Sequence, residues 1–269
     1  MLWAQEVLPT LIKFINHKLI IIWHDHYGNS EKLNERKFQV IRFCSNYFSH
    51  VFSVNKALED WAFRRLKTKN ISYLSNFPIK DLSQPDTQLQ GESGYRILHM
   101  ANLRPQKDHI TLLDAFKIVV EQYSDWTLHL VGKDYNDNYS KTLKSLINKG
   151  NLNNNVFLYN MCLDIKNILK QSTIGVLSSV SEGLPISLLE YGLANLPVLT
   201  TDVGDCKKVL NNNKAVVPSK KSSVFAERLS NIIEDEFLRK ELSRSLNDNV
   251  ISIYSKEKFM SNLNEFYNN

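Results

Sequence analysis

A chain of 269 residues with 43% hydrophobic and 23% charged residues has the make-up of a soluble globular protein, which excludes a disordered or collagen-like chain. Its length allows two lobes or one large α/β domain. The net charge of +5 is spread along the sequence rather than gathered in a tail; it is too weak to point to nucleic acid, although it suits phosphorylated substrates or an anionic membrane face.

The three cysteines, Cys44, Cys162 and Cys206, are far apart and lack ligand spacing, which argues against a disulfide framework or a zinc site and makes reduced cytoplasm the default. The opening residues 1–6 lack a basic region and a cleavage motif, so no export is expected. A helix is predicted near residues 5–17. The apolar run 19–23 is far shorter than the ~20 residues that span a bilayer and reads as a buried strand. A helix around 39–46 and strands at 51–54 and 71–74 complete the first third, which amounts to half a sheet.

Residues 78–94, with Pro85, two glycines and many polar side chains, read as a linker. From Tyr95 onward short apolar runs alternate with helix-period segments, the pattern of βαβ units and a parallel sheet. The predicted strands are 96–100, 127–131, 155–158, 174–177, 197–200 and 215–217, and six strands fit one doubly wound sheet. Between them Ile110, Leu113, Phe116 and Val120 recur at helical spacing, as do Leu143, Leu146 and Ile147 before a capping Gly150. Helices at 222–234, 236–247 and 256–267 end the chain.

Residues 178–185 follow a strand and lead into a helix reaching about Leu193, at the carboxyl edge of the sheet, where such folds bind ligands. A helix N-terminus offers unpaired amides and a positive dipole end, both suited to a diphosphate. Gly183, Leu184, Ile186 and Ser187 can donate, and the fixed φ of Pro185 suits the first helical turn. Glu182 stands just before that turn, where its carboxylate can accept from sugar hydroxyls. Glu190, eight residues on, returns to the same face after two helical turns. An N-capping glutamate followed by a surface glutamate would give the same pair.

The run Ser181-Glu182-Gly183-Leu184-Pro185-Ile186-Ser187-Leu188-Leu189-Glu190 resembles the Glu, seven residues, Glu signature, commonly SEGxP, of family 4 of the retaining glycosyltransferases, and the match continues to Gly204. Ala101-Asn102-Leu103-Arg104-Pro105-Gln106-Lys107-Asp108-His109 is similar to a second motif of that family. The resemblance implies that Arg104 and Lys107 clamp the diphosphate and stabilise charge building on the leaving phosphate. Many members carry the arginine two residues earlier, where this chain has Ala101-Asn102, so Arg104 stands in for it while Asn102 lies on the nucleotide side. A solvated loop charge pair is the plainer reading of Arg104 and Lys107.

Gly132 stands where the family passes its backbone close to the nucleotide, and Asn160 near the base; a glycine after a strand is also often just a turn. Trp23-His24-Asp25-His26-Tyr27 resembles the acceptor-lobe site in which a histidine, here His24, faces the donor sugar, although a structural histidine would look the same.

The resemblance implies an α/β fold of GT-B type, two Rossmann-like lobes facing across a cleft: a complete C-terminal lobe with a six-stranded parallel sheet, residues 95–250, and a partial N-terminal acceptor lobe, residues 1–80. Residues 81–94 would be the linker and 251–269 a helix crossing back to the first lobe. About half of the acceptor lobe is expected to be missing, so homo-oligomers or a completing partner chain enter as partners. The implied reaction is metal-independent, retaining transfer from a nucleoside diphosphate sugar to a glycan or lipid-linked hydroxyl, with no cofactor and no nucleic acid, in the cytoplasm or peripherally at the inner membrane face. Ser181, Gly183, Leu184, Pro185 and Ile186 would hold the diphosphate, Glu182 the sugar and Glu190 the ribose. The alternative is a catalytically silent nucleotide-sugar-binding subunit.

Overall fold

In the computed structural model, which describes residues 3–27, 30–78 and 83–268, short apolar runs form strands and helical-period segments cover them. In chain order come α1 (Trp3–Ile15), β1 (Ile22–Asp25), α2 (Gln39–Cys44), β2 (His50–Ser53), α3 (Lys56–Arg65) and β3 (Ile71–Tyr73). Then follow β4 (Arg96–Met100), α4 (His109–Gln122), β5 (Thr127–Val131), α5 (Asn138–Lys149), β6 (Val156–Tyr159), α6 (Ile165–Gln171) and β7 (Ile174–Leu177). The chain ends with α7 (Ile186–Leu193), β8 (Val198–Thr201), α8 (Cys206–Leu210), β9 (Val216–Val217), α9 (Ser222–Glu234), α10 (Glu236–Ile253) and α11 (Lys256–Asn268). The chain divides into two compact units: residues up to Asn76 with Glu182–Leu184 and residues from Phe259 on, and residues 77–181 with 185–258. The boundary expected between residues 80 and 81 falls on 79–82, outside the described residues.

In the first unit β1, β2 and β3 form a parallel sheet in that order. Its core gathers Ile21, Ile41, Phe48, Val51, Trp61 and Leu66. Asn55 caps α3 by accepting from the Leu58 amide at 2.8 Å. The ring of Phe266 on α11 packs 4.3 Å from His50 and 5.0 Å from Phe52, centroid to centroid. The buried strand expected at 19–23 needs correcting: the strand begins at Ile22, and Ile20 is 71% exposed. β1 is an edge strand, so only part of its apolar run has a neighbour to pack on.

The second unit holds a six-stranded parallel sheet of order β6-β5-β4-β7-β8-β9. All six predicted strands are present with ends within one residue of expectation; β4, β5, β7 and β8 are buried along their whole length, and buried parallel strands read as continuous apolar runs. The chain winds outward from β4 to β6, then returns to place β7 on the other side of β4. That reversal makes the carboxyl ends of β4 and β7 the switch point where α/β sheets form their ligand crevice. Before β4, residues 86–91 are strapped down: Asp164 accepts from the Asp86 and Thr87 amides at 2.8 and 2.7 Å, and the Arg96 guanidinium donates to the Gln90 and Gly91 carbonyls at 3.0 and 2.7 Å.

Three histidines are buried in this sheet layer: His99 on β4, His109 at the start of α4, and His129 on β5. Burial holds His109 and His129 neutral and lowers each pKa to about 4; burial lowers His99 as well. An unfolded histidine titrates near 6.5, so between pH 6.5 and about 4 the unfolded chain binds protons that the folded chain refuses. Stability is complete above pH 6.5 and is lost as pH falls, by up to roughly 3 kcal/mol for each of His109 and His129. Urea titrations at pH 7.5, 6 and 5 check this. A midpoint that does not fall over that range contradicts it.

Candidate functional site

Two loops meet at the β4–β7 crevice. The first leaves β4 at Met100 and carries Asn102, Arg104 and Lys107, with a 3-10 turn at Pro105–Lys107. The second leaves β7 at Leu177 and runs through Ser178, Ser179 and Ser181. The Ser178 hydroxyl donates to the Lys107 carbonyl at 2.9 Å and the Val180 amide to the Gln106 carbonyl at 2.9 Å. The Thr201 hydroxyl on β8 donates to the Ser179 carbonyl at 2.7 Å. The Gln106, Lys107 and Ser179 carbonyls are thus the acceptors through which the two loops are joined to each other and to β8.

The turn is fixed at its far end by Asp108. Its backbone is left-handed, φ 48°, and its carboxylate caps α4 by accepting from the Thr111 amide and hydroxyl. Lys107 is half-buried. Arg104 is exposed; its guanidinium donates to the Tyr135 hydroxyl and lies 4.8 Å from the centre of that ring. Asn102 accepts from the Lys133 amide at 2.9 Å, which ties this loop to the end of β5. Asn160, after β6, accepts from the Met161 amide at 2.8 Å.

Gly132 has a reason of its own to be glycine. A β-carbon there would stand 2.3 Å from the Ala101 carbonyl oxygen, so the close approach of β5 to the first loop admits no side chain. Gly132→Ala is expected to destabilise the protein by roughly 2 kcal/mol through that overlap, read as a lowered urea midpoint; an unchanged midpoint contradicts it.

Pro185 corrects one expectation. The helix starts at Ile186, and Pro185 is its extended N-cap residue, φ −74°, ψ 116°, rather than part of the first turn. Residues 182–185 are therefore not helical, and the two-turn spacing expected between Glu182 and Glu190 does not apply: only Glu190 lies on α7. Proline at 185 keeps the preceding residue out of helical geometry, which is why the helix begins late. Ser181, Glu182 and Leu184 are buried, at 7%, 6% and 6% exposure, whereas Ile186 is 47% exposed.

The His24 segment belongs to the first unit. Asp25, at the end of β1, is gripped by Arg36 through bonds of 2.6 and 3.0 Å and accepts from the Tyr27 amide at 3.2 Å. The Arg36 guanidinium lies 4.1 Å from the Trp61 ring and 4.5 Å from the Tyr27 ring. His24 itself is exposed, with its ring 5.1 Å from Phe52 and stacked at 6.3 Å on His26. Partial burial, then the neighbouring His26, lower its pKa, so it is neutral at pH 7.

Sequence reasoning missed Arg36, Tyr135 and the part played by Tyr191. No local spacing signals the first two, since each meets its partner through a loop. Tyr191 was detectable only as a bulky aromatic one residue past the second glutamate, matched to a glycine inside β7.

Residues 83–250 match the family model described as glycosyl transferases group 1. The chain is 33% identical over 211 residues to an uncharacterized glycosyltransferase of Methanocaldococcus jannaschii, covering 73% of this chain and 51% of that protein. It is 21% identical over 248 residues to the poly(ribitol-phosphate) alpha-N-acetylglucosaminyltransferase of Staphylococcus aureus, covering 91% and 49%. The crystal structure of Anabaena HepE in complex with UDP superposes with a TM-score of 0.84 at 16% identity, over 99% of this chain and 76% of that one. The fold is thus that of a GT-B glycosyltransferase, and the chain spans about half the length of these two curated relatives. Among the described residues no helix is long and apolar enough to cross a membrane.

Proposed function

The chain belongs to the group 1 glycosyl transferases, and on that premise we propose that it transfers a sugar, with retention at the anomeric carbon, from a uridine diphosphate sugar to a hydroxyl of a glycan or lipid-linked glycan. The observation that carries this reading is the meeting of the Lys107 loop and the Ser181 loop at the β4–β7 switch point, tied through the Gln106 and Lys107 carbonyls. A lysine and an arginine on one loop, tied to the segment that leads into a helix N-terminus, supply the chemistry of a cradle for a departing diphosphate. UDP is the nucleotide held by the HepE structure, and a polymer acceptor is named for the Staphylococcus relative.

The roles divide as follows. Lys107 and Arg104 neutralise the diphosphate, the amides at the start of α7 bind it, Glu182 orients the sugar, Glu190 holds the ribose, and His24 is assigned to the acceptor lobe. Residues 95–250 form the donor lobe, and a completing chain or a second copy would enlarge the acceptor side. An assay of UDP release over a panel of UDP-hexoses, with and without glycan acceptors, tests the reading. It is supported by release that depends on one donor, and contradicted if no donor is consumed and UDP itself is not bound.

A further inference from the structure

The two loops of the crevice leave adjacent strands, yet β4 and β7 are paired only at Ile97 with Ile174 and Leu98 with Gly175. Beyond Leu98 the ladder between the two strands ends, and Met100, two residues on, is not paired with β7. The phenol of Tyr191 fills the gap. Its hydroxyl accepts from the Met100 amide at 2.8 Å and donates to the Leu98 carbonyl at 3.1 Å. The side chain is fully buried. Gly175 makes room for it: a β-carbon at 175 would stand 2.9 to 3.1 Å from the ring.

Tyr191 follows Glu190 directly on α7, and Met100 directly precedes the loop carrying Asn102, Arg104 and Lys107. We infer that Tyr191 is a positioning residue for the donor site: as a hydroxyl-tipped wedge seated on Gly175, it sets the distance between α7 and the Lys107 loop, and so the width of the diphosphate cradle. This rests on the nucleotide-sugar reading of the same site. The physical reason is that a backbone amide and carbonyl in a dry site must be paired. Without the hydroxyl, the end of β4 closes toward β7 or admits water, and either moves the loop that follows. Displacements of about an ångström at a binding group are enough to change binding and rate markedly.

The test is calorimetric titration of the full chain with UDP, for the parent protein, Tyr191→Phe and Gly175→Ala. The phenylalanine keeps the ring and removes only the hydroxyl; the alanine keeps the hydroxyl and pushes on the ring. Urea midpoints are measured alongside. Each variant is expected to bind UDP about ten-fold more weakly, because each displaces the loop that carries Lys107. If Tyr191→Phe does not fold, Gly175→Ala carries the test alone. Variants that are less stable but bind UDP with the parent affinity overturn the inference, because a purely structural tyrosine would behave in that way. A parent protein that does not bind UDP overturns the nucleotide-sugar reading, and this inference with it; the two failures are therefore distinct.

Discussion

Lys107→Ala and Glu182→Ala are each expected to lower sugar transfer by about 10²–10³, the loss seen when one preorganised electrostatic contact to a transition state is removed. As the glycosidic bond breaks, negative charge builds on the leaving diphosphate, and a fixed ammonium in a partly dry crevice answers it at no reorganisation cost. The lysine is suited to such a test because backbone carbonyls and the next residue also hold its loop. The turn is held by the Gln106 and Lys107 carbonyls and by the Asp108 cap. Removing the ammonium should leave that frame standing, so kcat/KM falls while the melting temperature stays within a few degrees. For Glu182, buried at 6% exposure, the proposed role under test is the orientation of the sugar. Either variant with transfer within two-fold of the parent would refute its role.

Arg36→Ala is expected to destabilise the first unit by about 3–5 kcal/mol, because it strands a buried carboxylate. Asp25 is 2% exposed, and its ion pair with Arg36 has side-chain exposures of 8% and 3%. The guanidinium also fills the space between the Trp61 and Tyr27 rings, so its loss removes packing as well as charge. Adding Asp25→Asn to Arg36→Ala should recover part of the loss, since the uncompensated charge is gone. Urea denaturation followed by tryptophan fluorescence gives both values. A loss below about 1 kcal/mol would mean the pair behaves like an exposed one.

Much of the second unit could be read from residues alone. Its inner strands are buried on both faces, and Arg96–Met100 or Ile174–Leu177 reads as a core strand once bounded by turn residues. The short helices were harder. α3, α6 and α8 carry too few apolar repeats to stand out, and tertiary packing rather than periodicity supports them. The first unit was misread at residues 19–23, where an edge strand looks like a buried one until its neighbours are known.

In the site itself the motif residues were visible as a pattern, but their supports were not. The Tyr135 partner of Arg104, the Arg36 clamp on Asp25 and the Tyr191 wedge all join residues distant in sequence, and the left-handed backbone of Asp108 carries no residue-type signal. The late start of α7 was readable in principle, since a proline at 185 disfavours helix at the residue before it; the eight-residue spacing of the glutamates obscured it.

The proposed donor site is tested most directly by amide hydrogen exchange of the full chain with and without saturating UDP. Protection is expected at residues 103–108 and 183–189, the two segments assigned to the diphosphate, and it should disappear from both in Lys107→Ala at the same UDP concentration. Unchanged exchange in both segments at saturating UDP, or protection confined to residues 20–76, would contradict the assignment.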